Sequence, residues 1–96
     1  MIIFINRFTV TGPTEEFERT FDETSVFFSA QPGFIRHRLM RHTGDPNAYA
    51  NVAEWEDEES FRRALQQPGF AAHRAELQAL STSDPNLYTP LYERVA

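Results

Sequence analysis

Hydrophobic and polar positions alternate along residues 2–10, IIFINRFTV, which places Ile2, Phe4, Asn6, Phe8 and Val10 on one face of a first strand. TGP breaks the run at 11–13. The period then changes: Phe17, Phe21 and Phe28 recur at helical spacing between Thr14 and Ala30, with Phe27 beside them. Pro13 suits a first helical position, and Glu15, Glu16 and Glu18 suit the positive end of a helix dipole. QPG stops this helix at 31–33, and FIRHRLMRH at 34–42 returns to strand-like alternation. TGDPN at 43–47 is turn chemistry, so the next alternating run, YANVAEW at 49–55, closes a hairpin. In that third strand Tyr49, Asn51, Ala53 and Trp55 share one face, and Ala50, Val52 and Glu54 the other.

Beyond Trp55, EDEESFRRALQQ starts a second helix with acids first and bases further in. PG at 68–69 interrupts it and FAAHRAELQAL resumes the helical pattern. The tail SDPNLYTPLYERV, with Pro85 and Pro90, reads as a loop followed by a short final edge strand. The order β-α-β-β-α-β is that of an α+β, ferredoxin-like domain, with all helices on one face of an antiparallel sheet. The other face then needs a cover, and a second copy of the chain supplies it. A chain of 96 residues allows one domain, spanning 1–96.

Composition sharpens this picture by exclusion. Hydrophobic residues make up 41% and include nine Phe, enough for a packed core. The formal charge of −5 argues against nucleic acid as a partner. Arg36, His37, Arg38, Arg41 and His42 form a local basic cluster that reads as a solvated or interfacial strand edge. There are no cysteines, so disulfide and thiolate chemistry are excluded. No apolar run approaches the roughly 20 residues that span a bilayer, and MIIFINRF lacks the features of a signal peptide, so a cytoplasmic, membrane-free protein is expected.

Candidate chemistry begins with the polar residues inside strands. Asn6 and Asn51 each interrupt an apolar alternation, although Asn is depleted in strands and an unsatisfied buried amide costs roughly 1–3 kcal/mol. Either each amide satisfies a local bulge or loop carbonyl, or the two form a polar pair in an apolar small-molecule pocket. Trp55, four residues after Asn51 on the same face, is either core or part of that pocket's wall. His73 lies in the apolar stripe Phe70, His73, Leu77, Leu80, as a satisfied core histidine or as a proton carrier or axial ligand facing a cavity. No histidine has partners at metal spacing, and no phosphate loop or Ser–His–Asp order is present. An aromatic lining is available from Phe4, Phe8, Phe21, Phe28, Tyr49, Phe61 and Phe70.

At these residues the sequence resembles the antibiotic biosynthesis monooxygenases, small dimeric α+β-barrel proteins, and within them the cofactor-independent anthrone oxygenases of aromatic polyketide pathways. INRFTV, QPGFIRH, YANVAEW, FRRALQQPGF and LQALSTS carry the likeness over nearly the whole chain. The resemblance implies a homodimer that oxidises an anthrone-type polyketide with O2 to a quinone, using no metal, flavin or haem. It makes Asn6, Asn51 and Trp55 the catalytic group. Phe4, Phe8, Phe28, Tyr49, Phe61, Phe70 and His73 are then expected to bind substrate. Rival readings on the same fold are a polyketide cyclase and a non-catalytic polyketide-binding protein. A haem-degrading branch has an asparagine and an iron-ligating histidine where Asn6 and His73 stand, but its second-helix tryptophan corresponds to Ala64 here.

Overall fold

A computed structural model describes all 96 residues. Its elements are β1 (Ile2–Val10), α1 (Thr14–Ser29), β2 (Phe34–Arg41), β3 (Ala48–Trp55), α2 (Glu58–Leu65), α3 (Phe70–Gln78) and β4 (Ser81–Tyr88). The four strands form one antiparallel sheet in the order β2-β3-β1-β4, the ferredoxin-like arrangement expected. The second helical region is two helices. Gly69 adopts φ 98°, a left-handed conformation that ends one helix and begins the next. Pro13 stands one position earlier than expected, as the N-cap of α1 with extended backbone.

Each helix shows why it forms where it does. In α1, Phe17, Phe21 and Thr24 are buried at spacings of four and three, so one stripe faces the sheet and the glutamates face out. Asp57 caps α2 by accepting from the Ser60 backbone N–H at 2.7 Å. That bond, together with the Ser60 hydroxyl, holds the Asp57 carboxyl below the usual carboxylate range. Glu58 and Glu59 pair with Arg62 and Arg63 one turn on.

The tail departs from expectation. The final strand begins at Ser81 and ends at Tyr88, so SDPN lies within the strand and residues 89–96 have no regular structure. The edge of β1 explains this: an eight-residue antiparallel register from Ile3↔Tyr88 to Val10↔Ser81 outweighs poor strand propensity. Pro85 is tolerated because β4 is an edge strand with one ladder only.

Two buried clusters hold helices to sheet. One gathers Phe8, Val10, Phe17, Phe21 and Tyr49. The other gathers Ala53, Trp55, Phe61 and Ala64, with Phe4, Phe28 and Phe34 against it. Along β1 and β3 the two asparagines stand between them. The opposite sheet face, with Ile3, Ile5 and Val52 half-buried, has no helix over it.

Candidate active site

Asn6 and Asn51 are direct cross-strand partners in the β1–β3 register. Both face the helices, where a cavity of about 570 Å³ opens between the two clusters. That volume suits a small organic ligand. Phe4, Asn6, Phe8, Phe28, Asn51 and Trp55 line it, and Phe61 and Phe70 complete the set of expected residues that reach it. Trp55 is 1% exposed and held edge-on by Phe34 at 5.4 Å, Phe61 at 5.7 Å and Phe28 at 6.1 Å between ring centroids. A ring fixed on three sides offers a ligand one orientation.

Two of the expected substrate contacts stand outside the lining. Tyr49 packs on Phe17 at 4.9 Å and donates its hydroxyl to Glu18 Oε2, so it serves the core cluster at the far end of α1. Burial, and next the bond to Glu18, raise its pKa above the ordinary tyrosine value. His73 packs on Phe27 at 5.3 Å in the α1–α3 contact, and its buried Nδ1 has no partner. The helical stripe places it against α1, so it does not reach the asparagines' cavity.

The two amides differ. Asn6 Oδ1 is buried and makes no hydrogen bond. Asn51 is 9% exposed, and its Oδ1 lies 3.2 Å from His37 Nδ1, while Ser25 Oγ lies 2.5 Å from His37 Nε2. His37, Ser25 and Thr24 therefore belong to the cavity wall. The sequence alone places His37 in a solvated or interfacial basic strand edge. The cause is a register shift between Phe34 and Arg36, which makes Ile35 an extra residue. It reverses the alternation, so Phe34 and His37, three apart, both face inward. A β-bulge leaves no mark in a run as uniform as FIRHRLMRH.

Arg62 and Arg74 stand at the rim; Arg62 is engaged by Glu58 at 2.6 Å. No three His, Asp or Glu side chains converge to hold a metal ion.

Residues 1–76 match the family described as antibiotic biosynthesis monooxygenase. The chain belongs to this family. The deoxynogalonate monooxygenase of Streptomyces nogalater is 52% identical over 88 residues, which cover 92% of this chain and 75% of that protein. The crystal structure of SnoaB, a cofactor-independent oxygenase from the same organism, matches with a TM-score of 0.94 at 50% identity, over 96% of this chain and 94% of that one. A mycobilin-producing heme oxygenase of Mycobacterium tuberculosis is 30% identical over 73 residues, 75% of this chain and 70% of that protein.

Proposed function

We propose that this antibiotic biosynthesis monooxygenase oxidises an anthrone-type aromatic polyketide to a quinone with O2 and without a cofactor. The observation that carries the reading is the cross-strand pair Asn6–Asn51 beside Trp55 in an otherwise aromatic cavity. Identity of 52% to a monooxygenase, and 50% to a cofactor-independent oxygenase, supports the reaction class.

The chemistry follows from an acidic methylene flanked by aromatic rings. Loss of one proton gives an enolate whose electron pair reduces O2 and forms the new C–O bond. Protonation gives a hydroperoxide, and loss of the remaining C–H proton with cleavage of the O–O bond releases water and leaves the quinone carbonyl. Ordinarily a cofactor carries oxygen chemistry; here the substrate is its own reductant. The protein's task is to favour the anion, hold the reacting carbon and exclude bulk water. Asn51 donates to the developing oxyanion, a type of contact whose loss costs roughly 3–4 kcal/mol of barrier. Asn6 stands directly across the strand pair and donates its amide N–H to a second substrate oxygen, so an aromatic edge bearing two neighbouring oxygens fits both amides. Trp55 orients the ring system and the peroxide through its indole N–H.

The haem-degrading alternative is less well supported. His73 does not line the cavity, and Ala64 is 2% exposed within the core beside Phe61. A homodimer completes the proposal, since Ile3, Ile5 and Val52 lie on a sheet face that nothing in the chain covers. Light scattering is expected to give twice the chain mass.

Turnover of a hydroxyanthrone under ¹⁸O₂ tests the reaction. One labelled oxygen in the quinone and one in water is the expected result. Label from H₂¹⁸O alone, in a carbonyl that does not exchange with solvent, or ring closure without oxygen consumption, points to hydrolysis or cyclisation and rejects it.

A further inference from the structure

We infer that His37 is a positioning residue that fixes the Asn51 amide with its N–H₂ group turned into the cavity, and that Ser25 holds His37 in the tautomer this requires. The inference rests on the oxygenase reading for its consequence and on geometry for its form. An amide oxygen only accepts, so the 3.2 Å contact between Asn51 Oδ1 and His37 Nδ1 needs a proton on Nδ1. A neutral imidazole with Nδ1 protonated has its lone pair on Nε2. The Ser25 hydroxyl is placed to donate to that nitrogen.

The line runs in one direction, from Ser25 on α1 through His37 on β2 to Asn51 on β3. Its ring is held by Phe21 at 5.8 Å and Phe34 at 5.9 Å, and the bulge at Ile35 aims it inward. Successive hydrogen bonds polarise one another, which strengthens the N–H donors at the far end. With its oxygen occupied, Asn51 presents only donors to a ligand. Asn6 stands directly opposite, with its own Oδ1 buried and unpaired. Without His37 the Asn51 amide is free to rotate and present its carbonyl to an anion, which repels it.

Two measurements on the intact 96-residue chain test this. The first is a long-range ¹H–¹⁵N spectrum of the unliganded wild type at a pH where the ring is neutral. A protonated-type shift at His37 Nδ1 and an unprotonated one at Nε2 are expected; the reverse assignment overturns the inference, because the amide is then turned round. The second compares His37→Asn, which keeps a donor near the Nδ1 position but no base, with His37→Leu, which keeps neither. Removing a whole oxyanion donor costs about 10²–10³ in kcat, so His37→Leu is expected to lose roughly tenfold or more in kcat with little change in KM. His37→Asn is expected to recover most of that loss. Equal losses in the two variants, or none in either, contradict the assignment. A wild type that shows the tautomer but consumes no oxygen with any anthrone counts against the oxygenase reading alone.

Discussion

Replacing each of the paired asparagines by leucine is expected to move stability in opposite directions. Asn6 Oδ1 is buried without a partner in the free protein, so Asn6→Leu removes a group whose desolvation costs about 1–3 kcal/mol. The added volume extends into the cavity, beside Phe4 and Phe8. Asn51 by contrast accepts from His37, so Asn51→Leu leaves the imidazole N–H unpaired at a similar cost of about 1–3 kcal/mol with the sign reversed. For a domain of this size 1 kcal/mol shifts Tm by about 4–8 °C, so the two variants separate from wild type on either side. Scanning calorimetry at one protein concentration reads the effect, since association shifts Tm by mass action. Both variants nevertheless lose kcat, by roughly 10²-fold or more. A fall in Tm for Asn6→Leu as large as that for Asn51→Leu refutes the view that Asn6 is kept for function at the expense of stability.

Other consequences are simpler. Trp55→Phe keeps an aromatic ring among Phe28, Phe34 and Phe61 but is smaller and loses the indole N–H, so steady-state oxygen uptake should fall by about 10²-fold while near-ultraviolet circular dichroism still reports a folded core. Gly33→Ala introduces a Cβ 2.4 Å from the Ser60 side chain at a residue with φ 89°. A destabilisation of about 2–4 kcal/mol in urea unfolding is expected, from backbone strain plus overpacking. Tyr49 has a raised pKa in the folded state, so its contribution is complete below the unfolded tyrosine value and is lost as pH rises through the folded one. Urea midpoints at pH 8 and pH 11 should therefore differ less in Tyr49→Phe than in wild type.

Much of the architecture was legible because two periods alternate cleanly along the chain. Ile2 to Val10 and Tyr49 to Trp55 carry period two, and Phe17, Phe21 and Phe28 carry the helical spacing, so β1, β3, α1 and the facing asparagines could be read directly. Long-range pairing was not legible. Ser81 to Tyr88 has the composition of a loop, and it becomes a strand only because β1 offers an open edge. The misplacement of Tyr49 has a similar origin: its face was right, but which cluster it joined depended on Phe17 and Glu18, 32 and 31 residues earlier. His37 was missed because one extra residue at Ile35 brings Phe34 and His37, three apart, onto the same face, which strict alternation does not do.

The central claim is oxygen chemistry performed by substrate and side chains alone. It is tested most directly by an oxygen electrode, using protein stripped of metals by chelation and given the hydroxyanthrone dithranol. The account predicts uptake well above the spontaneous rate, one quinone formed per O₂ consumed, undiminished by stripping and weakened in Asn51→Ala. Uptake that vanishes on stripping and returns with added metal, or no rate above buffer with any anthrone tried, contradicts it.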